Sequence, residues 1–411
     1  MFTVTFLNVG DGACAVYRGG MDPFLQPRQV MVVDCGTSGK HTSAQAAFLL
    51  DRELGDLNGP PETIVVSHFD ADHWTGLHQY AIGKEPGKPF SGEPVQLVYP
   101  MLPRPVSWLS ALMSAFVTVE SGYASVSALD LKRAWTDTGA IVTAQPMSAG
   151  QSFRGADQKW NVLWPPKELP RSWRTAAARI LKEAGELAAK IPALDQAFKE
   201  AYGELWRSDS DETTASPRGD EAWSDARTRL EETGGYDDEQ HEPDTEDEQD
   251  GEAFPSDADD DEIQDQLGGE MAPGLRELSE ELALEYQKVR GDLQRMNNGL
   301  SLVIAAGQSV LTYGDAEKWA LTRLASSGLL LRSYGLIVAP HHGTATLTQK
   351  AARGFPRADV VVSQNGHERH NGYNKWYDRV PRTPFGSYST HRNGNLTFWL
   401  GDFSCDALLI S

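Results

Sequence analysis

The sequence has few of the features that mark secreted or membrane proteins. Its 411 residues include only three cysteines, Cys14, Cys35 and Cys405. This number is too small and odd for a disulfide framework, so we expect reduced thiols. No apolar run approaches the roughly 20 residues that a membrane-spanning helix needs, and residues 1–6 lack the basic start of a secretion signal. These absences favour a soluble cytoplasmic protein that does not bind a membrane.

An excess of basic residues is also missing. The net charge is −21, but residues 209–265 alone hold 24 acidic and three basic residues, so the remainder of the chain is neutral. It offers no strong basic stripe for tight duplex binding. The acidic segment has too few aliphatic residues to offset the entropy of ordering, and we predict disorder over about 209–265. Its role is open between a solvated spacer, an autoinhibitory flap or DNA mimic, and a docking tail for a basic partner.

Strand-like segments lie on both sides of a helical block. Apolar and alternating runs recur before residue 166 and again from residue 300, whereas 171–205 and 274–296 have helical periodicity. We therefore predict one α/β fold, a β-sandwich flanked by helices. Its halves are residues 1–166 and 297–411, and residues 167–296 form a helical insertion that contains the acidic segment.

Four potential metal ligands follow the apolar run at 63–66: His68, Asp70, Asp72 and His73. Side chains alternate along an extended segment, so the first three should point to one side, and a tight turn brings His73 beside them. Imidazole and carboxylate suit Zn²⁺, Mn²⁺ or Fe, and this set, with more ligands elsewhere, exceeds what one tetrahedral ion needs. The motif predicts two metal ions. The alternative is a polar turn with helix-capping aspartates, but a cap does not require flanking histidines.

Further polar residues of the same kind follow other strand-like segments. Six of the ten histidines lie in these segments or in the motif above. Because the ends of neighbouring strands converge in space, we expect these residues to meet: Asp315, His341, His342, His367 and His370.

The order of these motifs resembles the metallo-β-lactamase superfamily and, within it, the hydrolase domain of the ComEC type. Besides the motif at 68–73, the resemblance is carried by residues 7–13, 33–36, 297–303, 313–315, 340–343 and 390–396. It covers most of the chain outside the insertion. It implies an αββα sandwich with the metal ligands along one edge.

The resemblance also implies roles for the first ligands. His68 and Asp70 would hold one metal ion, Asp72 and His73 the other, and Asp315 would bridge the two. Asp72 is also counted among the catalytic residues. Asp70 stands where many superfamily members have histidine, which shifts the site toward oxygen ligands and makes Mn²⁺ as good a candidate as Zn²⁺.

In relatives, the strand before the last ligand often ends in Pro-Gly-His-Gly. Laying residues 340–343 over this pattern makes His342 a ligand and frees His341 to protonate the leaving group or to hold a phosphate oxygen. A second-shell or packing role for His341 is the alternative. His370 is assigned to catalysis, but the choice between His367 and His370 as the residue that enters the site stays open.

Two residues are candidates for orienting the ligand imidazoles, Asp34 and Asn298, although turn or cap chemistry would explain them equally well. His367 joins them as a third residue behind the ligands. Trp164 stands near the position where many members carry another histidine, so one metal would be weakly held or completed by water.

The function that the resemblance implies is hydrolysis of a phosphodiester in DNA, RNA or a nucleotide by a two-metal activated hydroxide. Soluble relatives of the ComEC domain suggest an effector in bacterial defence or DNA processing. The alternatives are a lactonase or thioesterase of the same superfamily, and a non-catalytic protein whose acidic and helical insertion docks a protein partner.

The composition of the acidic segment generates the first test. A variant lacking residues 210–265 should keep its fold, because this stretch contributes little apolar surface to a core. Soluble yield and circular dichroism of the variant and the full chain measure this. Insoluble protein after the deletion would contradict the predicted disorder.

Overall fold

A computed structural model shows two β-sheets and two sets of helices. It describes residues 2–20, 29–38, 41–57, 59–84, 89–102, 109, 112–113, 115–116, 119, 128–209, 278–384, 386–401 and 405–407. Apart from Asp209, the predicted disordered segment lies outside these residues. The chain divides into two compact units. One comprises Met1–Met101, Asp130–Lys167 and Asn298–Ser411, and the other Leu102–Leu129 and Glu168–Asn297. The predicted insertion at 167–296 stays a prediction.

All the described strands belong to the first unit. They are β1 Phe2–Phe6, β2 Cys14–Arg18, β3 Val30–Cys35, β4 Thr63–Val65, β5 Pro94–Pro100, β6 Ile141–Met147, β7 Ser152–Gly155, β8 Gln158–Trp164, β9 Val303–Ala306, β10 Val310–Thr312, β11 Ser333–Val338, β12 Arg357–Ser363, β13 Ser387–Ser389, β14 Leu396–Leu400 and β15 Cys405–Ala407.

The strands form two mixed sheets. The first has the order β15-β14-β1-β2-β3-β4-β5-β6 and the second β13-β12-β11-β10-β9-β8-β7. In the first sheet, β3 to β6 run parallel and the other pairs are antiparallel. In the second, β10 to β13 run parallel. Every residue of β3 and β4 is buried, which is typical of strands covered on both faces.

One hydrophobic core lies between the sheets, since its buried residues come from strands of both. Trp160 of β8 packs edge-on against Tyr17 of β2, with ring centroids 5.0 Å apart. The Tyr17 hydroxyl lies 3.3 Å from the Thr312 hydroxyl of β10. The predicted fold class, an α/β sandwich with helices, is confirmed. The halves interleave, however: β7 and β8 precede the helical block yet join the second sheet, while β14 returns to pair with β1.

The helices cover the sheets in the first unit and build the second. Their bounds are α1 Ser43–Glu53, α2 Ala71–Lys84, α3 Ala128–Asp137, α4 Arg171–Lys190, α5 Pro192–Asp209, α6 Glu280–Gly299, α7 Lys318–Ser326, α8 Gln349–Gly354, α9 His367–Asn371 and α10 Thr390–Asn393. Helices α1 and α2 pack on each other and on β3, and α7 packs on α8.

The second unit is held by α4, α5 and α6. A buried stripe on α4 includes Ile180, Leu181 and Ala184, which is the helical spacing expected from the sequence. The Lys190 ammonium lies 2.5 Å from a carboxylate oxygen of Glu285 on α6. None of the described helices is both long and apolar enough to cross a membrane.

The core between the sheets generates a stability prediction. Replacing Trp160 by Ala should lower the free energy of unfolding by about 3–5 kcal/mol, because it opens a cavity under several aromatic rings. The urea midpoint of each variant measures the change. The control is Ile141→Ala in β6, whose side chain is 61% exposed and should cost within about 0.5 kcal/mol. Similar midpoints for the two variants would contradict this account of the core.

Candidate metal centre

The polar residues of the site lie just inside or beyond the carboxyl ends of parallel strands from both sheets. Asp34 lies near the end of β3, and His68 follows β4 in the first sheet. In the second sheet, Asp315 follows β10, His342 follows β11 and Arg369 follows β12. The carboxyl ends of parallel strands share one edge of a sheet. This topology therefore brings residues from five distant parts of the sequence together.

Two overlapping groups have the geometry of metal ligands. The first is His68, His73 and Asp315, the second is Asp72, His73 and His342, and within each group the ligand atoms lie within 4.8 Å of one another. All five side chains are buried. Asp315 approaches both groups, with Oδ1 3.4 Å from His73 Nε2 and Oδ2 3.3 Å from His342 Nε2. A carboxylate so placed can serve two ions.

The path of the first motif differs from the extended one expected. Strand β4 ends at Val65 and α2 begins at Ala71, so Asp72 and His73 lie in the first turn of a helix. This turn fits closely against the end of β3. A Cβ atom on Gly36 would lie 2.4 Å from the carbonyl carbon of Asp72 and 2.5 Å from the amide nitrogen of His73. Only glycine allows this approach, and the approach places both ligands.

Hydrogen bonds fix the orientation of two ligand imidazoles. His73 Nδ1 donates to Asp34 Oδ2 over 3.0 Å, and His342 Nδ1 donates to the Gln364 carbonyl oxygen over 2.6 Å. Asp34 also accepts the Ser67 amide at 2.7 Å. With each Nδ1 engaged, Nε2 is left as the ligand atom. This is the geometry that the predicted role of Asp34 requires.

The residue before His342 faces solvent. His341 Nε2 lies 3.6 Å from Asp315 Oδ2, and 28% of its side chain is exposed. Loss of hydration, with the charges of Arg369 and His342 and despite Asp315, lowers the pKa of His341 to about 4. At neutral pH this imidazole is uncharged. Its N–H can donate a hydrogen bond to an oxygen.

The residues fit a divalent cation. His68 Nε2 is buried and has no hydrogen-bond partner in the described part of the chain, and a metal ion would satisfy this nitrogen. Burial opposes charge on Asp72 and Asp315, yet their cationic neighbours outweigh it and hold both pKa values well below the ordinary range. Ionised carboxylates beside imidazole nitrogens form the donor set of Zn²⁺ and Mn²⁺ sites.

Three residues that the sequence analysis discussed lie outside the two ligand groups. Asp70 Oδ2 lies 3.6 Å from His68 Nε2, but Asp70 belongs to neither ligand group. Asn298 is buried, and its carbonyl accepts the Ser301 amide. The Trp164 indole donates to the Gly299 carbonyl over 2.7 Å. The single N–H donor of this indole is therefore engaged, and the ring offers no nitrogen lone pair to a metal ion.

Neither histidine of α9 belongs to a ligand group among the described residues. His370 Nε2 accepts a hydrogen bond from Arg392 Nε over 2.9 Å, and its ring lies 4.9 Å from that of His391. His367 lies 5.6 Å from the same His391 ring. Their assigned roles stay predictions, and the structure ties both to α10 instead.

Arg369, which lies between these two histidines, was not among the site residues predicted from the sequence. Its Nη2 is 2.7 Å from Asp72 Oδ2. The supporting roles of Ser67 and Gln364 were not predicted either. Nothing in the local sequence marks these residues, because the contacts depend on how separate strand ends meet.

The comparisons with known proteins add little. No protein-family model and no curated protein matches the sequence. Among solved structures, the chain is similar to a β-lactamase domain protein from Burkholderia ambifaria at 14% identity, with a TM-score of 0.24, over 56% of this chain and 74% of that chain. A similarity at this level carries no argument about fold or function. The fold class therefore stands on the sheets, and the metal centre on its own geometry.

The position of Asp315 generates a metal-binding prediction. Asp315→Ala should retain less than half the Zn²⁺ or Mn²⁺ of the original protein after dialysis, since this carboxylate approaches both ligand groups. The number of metal ions per chain is measured by inductively coupled plasma mass spectrometry. The matched control is Asp137→Ala on α3, a carboxylate that is 52% exposed and lies 3.8 Å from Arg133. Equal metal content in the two variants would refute the assigned centre.

Proposed function

We propose that the protein is a metal-dependent hydrolase of the metallo-β-lactamase superfamily, of the ComEC type, that cleaves phosphodiester bonds in DNA, RNA or nucleotides. The observation that carries this proposal is the pair of buried ligand groups that share His73. The order of the motifs along the sequence supports the choice of superfamily.

The donor geometry favours two ions over one. Each ligand group has three donors, and Asp315 approaches members of both. When bound, the ions would lower the pKa of water and stabilise the charge of an in-line displacement. His73 belongs to both groups, but its Nε2 has one lone pair and would bind one ion, so the carboxylate of Asp315 is the side chain that would join the two.

Other residues orient the ligand imidazoles or bind the substrate. Asp34 and the Gln364 carbonyl keep the Nε2 atoms of His73 and His342 directed at the centre. His341 is partly exposed beside Asp315, so its neutral N–H can hold an oxygen of the substrate. This supports the second of its two predicted roles, a phosphate contact, over proton donation.

The proposal predicts which substrate is cleaved. With Mn²⁺ or Zn²⁺, bis-p-nitrophenyl phosphate should be hydrolysed and p-nitrophenyl acetate should not. Single-stranded DNA, duplex DNA, RNA and cyclic dinucleotides then identify the natural class. His342→Ala should lower kcat/KM at least about 100-fold, since loss of even an outer partner of a metal ligand typically costs 10- to 100-fold.

Asp137→Ala again serves as the matched control and should keep the original rate. Turnover of the ester without the phosphodiester would favour the lactonase or thioesterase alternative. Unchanged biological activity of an Asp315→Ala, His342→Ala double variant would favour a non-catalytic interaction protein.

A further inference from the structure

Helix α9 is fixed beside the metal centre by a residue from the other end of the chain. Asp11, in the turn between β1 and β2, accepts three backbone amides with its carboxylate. Oδ1 accepts those of Gly366 and Arg369 at 2.9 and 3.0 Å, and Oδ2 accepts that of Glu368 at 3.3 Å. This contact sets the direction in which α9 begins.

The approach between these segments depends on glycine. A Cβ atom on Gly366 would lie 2.5 Å from the Asp11 amide nitrogen, and Gly10 has a φ of +87°. Residues 7–13 carry part of the family resemblance, yet none of them contributes a ligand atom to the centre. Through Asp11, this segment instead fixes the position of α9.

Helix α9 carries Arg369, and only one of the two terminal nitrogens of its guanidinium has a partner in the described part of the chain. The guanidinium of Arg369 forms an ion pair with Asp72 through Nη2. Its Nη1 is buried and has no hydrogen-bond partner among the described residues. Guanidinium is a rigid fork suited to two oxygens, and a buried unpaired donor is costly. An oxygen from outside the chain would satisfy this second N–H group.

The charge on that oxygen follows from Asp72. Asp72 is both the partner of Arg369 and a member of a ligand group. A cation held by Asp72 would take up its negative charge, and the charge of Arg369 would then be balanced best by an anion. Phosphoryl oxygens match both the charge and the fork geometry of guanidinium.

We propose that Arg369 binds a phosphoryl oxygen of the substrate through Nη1, and that Asp11 is the positioning residue that holds it there. This inference rests on the proposed phosphodiester hydrolysis. A purely structural Arg369, which only pairs with Asp72, predicts changes in metal content or folding but no separate effect on phosphate.

The test is the binding of inorganic phosphate to the metal-loaded full chain, measured by titration calorimetry. Arg369→Ala should weaken phosphate binding about 10- to 100-fold, the usual effect of losing a hydrogen bond between charged groups. Metal content, measured in parallel, should be unchanged. Guanidinium ion added to this variant should restore part of the affinity.

Arg369→Lys covers the case in which the alanine variant loses metal or folds poorly. It keeps a positive charge against Asp72 but lacks the second arm, so phosphate binding should still fall. Asp11→Ala should also weaken phosphate binding, and the Asp11→Ala, Arg369→Ala double variant should be no weaker than Arg369→Ala alone. The matched control is Arg133→Ala, an exposed arginine that pairs with Asp137 on α3.

The outcomes separate the two proposals. Unchanged phosphate affinity in both Arg369 variants, at equal metal content, overturns the role of Arg369 even when phosphodiester hydrolysis is found. Weakened phosphate binding in a protein that hydrolyses no phosphodiester supports Arg369 and refutes the proposed function. A fall in phosphate affinity that only follows loss of metal in both variants shows a structural residue and also overturns the inference.

Discussion

The site depends on the burial of ionised carboxylates next to imidazoles. Asp72 and Asp315 are nearly inaccessible to water, and an isolated buried carboxylate would be very costly. Here His73, His342 and Arg369 surround them, and their charges hold the carboxylates ionised. Such a cluster is stable only if every member stays in place. The close approach of Gly36 and the Asp34 hydrogen bond therefore matter as much as the ligands themselves.

The backbone shows the same constraint. Asp34, His341 and His342 all have positive φ values, 55°, 49° and 57°. Left-handed conformations at residues other than glycine cost of order 1–3 kcal/mol each and persist where the surrounding structure enforces them. At the end of β11, this conformation turns two adjacent histidines in different directions. His342 enters the buried cluster, while His341 remains at its open side.

Much of the fold and centre could be predicted because the signals are local. His68, Asp315 and His342 each come soon after an apolar strand, so a reader of the sequence can place them at strand ends without knowing the sheet order. The start of α2 was not predicted, because the four-ligand motif suggested an extended path. The alternative interpretation, in which the aspartates cap a helix, is closer to the local structure, because Asp72 lies in the first turn of α2.

Arg369 and Asp11 could not be predicted for a different reason. Asp11 meets the amides of residues 366–369 across more than 350 positions of sequence, and its chemistry there is capping, which leaves no periodic pattern. Arg369 lies in a run with two histidines that attracted the assignment instead. Residue type suggested His370, whose role stays a prediction, whereas the helix direction set by Asp11 brings the neighbouring Arg369 to Asp72.

Trp164 illustrates how the helical block can be accommodated between two strands. Strands β8 and β9 are antiparallel neighbours, with Val162 opposite Ile304, although residues 165–302 separate them. The Trp164 indole donates to the Gly299 carbonyl and packs edge-on against Trp319. This contact joins the two chain segments where they leave and re-enter the sheet.

Loop closure entropy grows only slowly with length, by about 0.6 kcal/mol for each doubling. Once the ends are joined in this way, the length and charge of the intervening chain place little demand on the sandwich.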